Sequence, residues 1–145
     1  MRKYIVLFAM IVLSGCASLG LQSGQEKAFQ DAAVSMKEKK YSAALAGFHN
    51  ILREAPNTEL AKEAQFEVAL IHTLPDNSQK DFTQAVHEFE IFLKQHPDDQ
   101  RVPEARAWLA VLRTVQDLKK ENELLKKNIE ELKQLDIRHE ERRRK

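Results

Sequence analysis

The chain has 145 residues, which is room for one small domain with appendages and too little for two independent cores. Four Gly, four Pro, 31% charged residues and the lack of β-branched or aromatic runs beyond residue 16 exclude an all-β fold and predict helix. The net charge is +1, or −1 without Arg2 and Lys3, which excludes bulk attraction to nucleic acid; a single cysteine excludes an intramolecular disulfide and Cys-rich zinc sites.

The first segment reads as an address. Arg2 and Lys3 precede an uncharged apolar run from Tyr4 to Leu13. As a helix it would span only ~15 Å, about half of a hydrocarbon core, so a permanent membrane span is disfavoured. The run ends in Leu13, Ser14, Gly15 and Cys16. This ending resembles the lipobox of bacterial lipoproteins. The resemblance implies cleavage before Cys16, acylation of that cysteine and attachment to a lipid bilayer. Residue 17 is Ala rather than the Asp that favours inner-membrane retention, which points to the periplasmic face of the outer membrane. Residues 1–15 are thus expected to be a signal peptide and 16–25 a flexible lipidated tether.

Helices are expected at 25–39, 41–54, 58–74 and 79–95, with a fifth starting near 101. Tyr41, Ala44, Phe48, Ile51, Leu52 and Pro56 recur 41 residues later as Phe82, Ala85, Phe89, Phe92, Leu93 and Pro97. The register continues in Ala64 with Ala105 and in Ala69 with Ala110. Spacings of three and seven between Tyr41, Ala44 and Phe48 put one apolar stripe on a helix, with Ala44 and Ala85 where a neighbour approaches closely. Glu88 and Glu90 flank Phe89 and are expected to point off its face.

This Ala, Phe and Pro pattern resembles the second helix of the tetratricopeptide repeat, and Ala69 and Ala110 match the small residue of its first helix. The usual period is 34 residues, and the longer period here is similar to that of BamD-like and CpoB-like envelope proteins. The resemblance implies an all-α fold: a short solenoid of helical hairpins over residues 26–113, with a groove for a periplasmic or membrane protein. Gln65, His72, Arg106 and Arg113 are the candidate groove residues.

Residues 114–145 are expected to form an extended helix. From Trp108, seam positions alternate every three and four residues through Val111, Val115, Leu118, Asn122, Leu125, Ile129 and Leu132. That is a heptad seam with Asn at an a position, which favours a parallel homodimer through 108–135. The alternative is one amphipathic helix that folds back or projects alone. The Leu132, Lys133, Leu135 and Asp136 step near the end of the helix is weakly similar to that of QseG-type lipoproteins, which implies an alternative role as accessory to a sensor histidine kinase. Its terminal Arg142, Arg143, Arg144 and Lys145 suit an acidic partner, and equally complement a helix dipole.

The histidines at 49, 72, 87, 96 and 139 form no metal-ligand spacing; Ile91 stands where a metalloprotease motif begun at His87 needs its second ligand. With no phosphate loop or nucleophile elbow either, the reading is a non-enzymatic envelope scaffold without catalytic residues, metal or cofactor.

Overall fold

Residues 24–144 are described by a computed structural model, in which five α-helices follow one another. They are α1 (24–37), α2 (Tyr41–Glu54), α3 (Glu59–Ile71), α4 (Phe82–Gln95) and α5 (Val102–Arg143). No strand occurs among the described residues. The lipobox residues Leu13, Ser14, Gly15 and Cys16 lie outside them, as does the tether up to residue 23. The expected tether does not extend to residue 25, since α1 already includes Gly24 and Gln25.

The helix ends follow from local hydrogen bonding. α1 stops two residues before its expected end because Lys39 adopts a left-handed φ of 62°. Its N–H donates to the Met36 carbonyl and that of Lys40 to the Ser35 carbonyl, which closes the last turn. The turn is tied down from outside. Asp76 accepts from the Tyr41 hydroxyl and pairs with Lys39, both at 2.6 Å. α3 begins after Thr58, whose hydroxyl accepts from the Ala61 N–H at 3.1 Å. It ends at Ile71 rather than at residue 74, because Asn77 Nδ2 and the Thr73 hydroxyl take the carbonyls of Ile71 and Leu70. α4 begins at Phe82 rather than at residue 79. Asp81 is its cap, accepting from the N–H groups of Thr83 and Gln84 at 2.8 and 3.2 Å. In α5, Pro103 occupies the first turn, where its missing N–H is not needed.

Consecutive helices pack pairwise from α2 to α5, and α3 belongs to two cores at once. One face of α3, formed by Ala64, Val68 and Ile71, is buried with Phe29 and Ala32 of α1 and Ala44, Phe48 and Ile51 of α2. Its other face, formed by Phe66 and Ala69, is buried with Ala85, Phe89 and Phe92 of α4 and Ala105, Leu109 and Leu112 of α5. Each core has the same aromatic joint. Phe29 meets Phe48 edge to face at 5.3 Å, and Phe66 meets Phe89 the same way at 5.5 Å. The fully buried Phe48, Phe89, Phe92 and Ile71 each contribute roughly 1.5–3 kcal/mol through burial.

The 41-residue register is kept in burial as well as in sequence. Ala44 and Ala85, Phe48 and Phe89, Ile51 and Phe92, Val68 and Leu109 are all buried pairs. Tyr41 is buried and its counterpart Phe82 partly so, whereas Pro56 and Pro97 lie exposed in the turns.

Candidate functional site

The four expected groove residues do not form one surface. Gln65 is only 6% exposed, and its Nε2 donates to the Glu88 carboxylate at 2.7 Å. Glu88 therefore does not point off the Phe89 face. It stands three residues after Ala85 and four before Phe92, on the edge of the stripe that meets α3, and Gln84 donates to its second oxygen. Gln65 and Glu88 join α3 to α4. His72 caps the end of α3, half-buried, with Nδ1 enclosed and unpartnered, and burial pushes its pKa down.

Arg106 and Arg113 do come together. They flank a shallow hollow of about 510 Å³ between α4 and α5, shared with Glu90, Leu93, Lys94, Leu109 and Ala110. Arg113 pairs with Glu90 at 2.7 Å, both side chains well exposed, so the pair adds little stability.

Ala110 differs from its expected role. Ala69 is fully buried against α4, whereas Ala110 is exposed on the rim of this hollow. The reason is positional. The α3 face made by Phe66, Ala69 and Leu70 is covered by the next hairpin, whereas among the described residues no helix lies over its counterpart on α5, made by Ala107, Ala110 and Val111.

Trp108 was expected to open the seam, but it stacks on Phe89 with centroids 6.3 Å apart. The free seam therefore begins at Val111. Val115 is half-buried, while Val111, Leu118, Leu125, Ile129 and Leu132 are between 53% and 65% exposed. Asn122 is exposed among them. Leu124, Leu135 and Ile137 are also exposed but lie off this row.

Two further clusters went unread in the sequence. Arg101 lies over the rings of Phe66 and Phe92, at 5.8 and 5.6 Å from their centroids. There its Nε and Nη2 grip both oxygens of Asp99 at 2.9 Å, and the guanidinium holds the Asp99 pKa down at about 2. Nearby, Glu67 is pushed up, first by burial and then by Glu63, with Arg101 opposing. An Asp two residues before an Arg was the visible signal for the first cluster. The aromatic shelf that makes it matter comes from two other helices.

Among the described residues no three His, Cys, Asp or Glu side chains converge to hold a metal, and no helix is long and apolar enough to cross a membrane. Compared with known protein families, curated proteins and solved structures, the chain finds no match.

Proposed function

We propose that this chain is a membrane-anchored periplasmic lipoprotein that acts as a non-enzymatic protein-interaction adaptor of the cell envelope. In this reading α1 to the first turns of α5 form a short tetratricopeptide-like stack. The lipid on Cys16 holds it at the outer membrane. The observation that carries the reading is the build of α5. Its last core residue is Leu112, yet the helix continues to Arg143, about 45 Å further at 1.5 Å per residue, with a row of half-exposed aliphatic side chains. A contiguous exposed aliphatic row of that kind marks a contact surface, and at helical spacing it suits a partner helix. The repeat reading is supported by the shared 41-residue register of buried positions, and the anchor by the Leu13, Ser14, Gly15, Cys16 ending.

The test is metabolic labelling with a tagged palmitate, combined with membrane fractionation of the wild-type chain and of Cys16→Ser. The wild type should carry label and sediment with outer membranes, while Cys16→Ser should carry none and either be released or persist as unprocessed precursor. A wild-type chain that takes up no label would overturn the anchor. In the same cells, a photoreactive residue placed at Leu125 should link α5 to protein. Linking no better from there than from exposed Lys37 on α1 would remove the adaptor role.

A further inference from the structure

We propose that the partner of the projecting helix is a second copy of this chain, paired in parallel and in register from Val111 to Leu132. This names the occupant that the adaptor reading leaves open. It rests on that reading in one respect: two chains anchored through Cys16 in one membrane enter the pair with their amino termini at the same end.

The direction of the row makes the pairing sterically open. Successive helix residues are about 100° apart, which puts Val111, Leu118 and Leu125 roughly 140° around α5 from the buried side made by Ala105, Leu109 and Leu112. Val115 lines a hollow with Phe82 and Thr83 at the start of α4, so the row is open to a second helix along its length from Leu118 onward. The row runs for three heptads, the length at which a sustained seam with charged flanks reads as a coiled coil.

The polar positions select the arrangement. Asn122 sits at an a position within an otherwise aliphatic row, and in a parallel, in-register pair the two Asn122 amides face and can bond each other. In an antiparallel pair each would lie opposite an aliphatic side chain instead. Lys119, Lys126 and Lys133 occupy the e positions, so antiparallel pairing sets one lysine row against the other. Parallel pairing sets Lys126 against Glu121 of the second copy. Lys126 is free to make that contact, because its present link to Glu123 is a 3.3 Å pair on the exposed helix surface.

The experiment uses the full chain in detergent with Cys16→Ser, so that an introduced cysteine is the only thiol. Under mild oxidation Leu118→Cys and Leu125→Cys should each link to themselves, giving a band at twice 16.7 kDa. Glu123→Cys, on the flank, should link at least tenfold more slowly. Mixing Leu118→Cys with Leu132→Cys should give no link between the two variants. Absence of self-linking at both d positions, or linking between 118 and 132, would overturn the parallel pair. Adding Asn122→Ile should leave the chains associated while permitting shifted links or higher oligomers; a single unchanged register would refute the role of Asn122. In cells, a photoreactive residue at Leu125 that captures only a different protein overturns the second copy and leaves the adaptor reading standing. Missing palmitate label would strike that reading alone.

Discussion

Replacing Gly47 with Ala should destabilise the chain, although the same change in an open helix would stabilise it. In helix interiors Ala is favoured over Gly by about 1 kcal/mol. At Gly47 the added Cβ would stand 2.8 Å from the Cβ of Ala32 and 3.5 Å from its Cα. Carbon atoms pack best at about 3.5–4.0 Å, so α1 must retreat by roughly 1 Å. A methyl group fixed to the backbone cannot rotate away. Retreat also loosens the edge-to-face contact of Phe29 with Phe48. Overpacking of this kind costs about 1–3 kcal/mol, which outweighs the propensity gain and leaves a net loss of roughly 1 kcal/mol. Urea unfolding followed by circular dichroism reads this as a lower midpoint at unchanged slope. Gly24→Ala, where no atom of the described residues stands within 4 Å of the new methyl, is the control and should not lower the midpoint. Ala32→Gly should cost less in the Gly47→Ala background than alone. If Gly47→Ala raises the midpoint, α1 does not pack on α2 at this distance.

Ala69→Leu and Ala85→Leu should each cost about 1–3 kcal/mol through overpacking, whereas Ala110→Leu should stay within about 0.5 kcal/mol; equal costs at 69 and 110 would mean that α5 is covered after all. The Asp99 pKa is depressed to about 2, so its pairing with Arg101 adds stability above pH 3.8 that is lost as pH falls through about 2. That shift, discounted for solvent at the Arg101 end, amounts to about 1–2 kcal/mol. Asp99→Asn should therefore lower the unfolding midpoint at pH 6 and narrow its gap to wild type by pH 2, measured by urea titration across pH. Glu67 acts in the opposite sense, since its pKa is raised and acid relieves the cost of its buried charge. A gap that does not shrink in acid would show that the pair contributes nothing.

What could be read from the sequence was what depends on local periodicity. The range of α2 and the burial of Ala44, Phe48, Ala85 and Phe89 follow from one stripe at helical spacing. The end of α1 did not, because Lys39 takes a left-handed conformation usually left to Gly. Asp81 did not stand out as the cap of α4, because a cap residue and a loop aspartate look alike until the N–H groups of Thr83 and Gln84 are seen to point at it. Gln65 and Glu88 are 23 residues apart and each is polar, so only the packing of α3 on α4 reveals that they satisfy each other in a buried place. Ala110 was misplaced for the opposite reason: a repeat pattern predicts a neighbour for every unit, and among the described residues none packs over Ala110. Arg106 and Arg113 share a surface because they lie seven residues apart on one helix, two turns that return to the same side.

The same end effect bears on why α5 is so long. Within its outer part, Asp117 with Lys120, Glu123 with Lys126, Lys127 with Glu131, and Glu140 with Arg143 form four exposed pairs along the helix. At about 0.3–0.5 kcal/mol each they add only about 1–2 kcal/mol together, and a helix segment without tertiary contacts is marginal in water. Among the described residues beyond Val115, none is buried. The charges therefore keep this helix soluble more than they keep it folded. The row from Val111 to Leu132 is the one feature able to add stability on the scale required, and it can do so only when covered. Covering the row and holding the outer helix folded then reinforce each other, so a variant that weakens the row, such as Leu125→Ala, should also fray the helix beyond it.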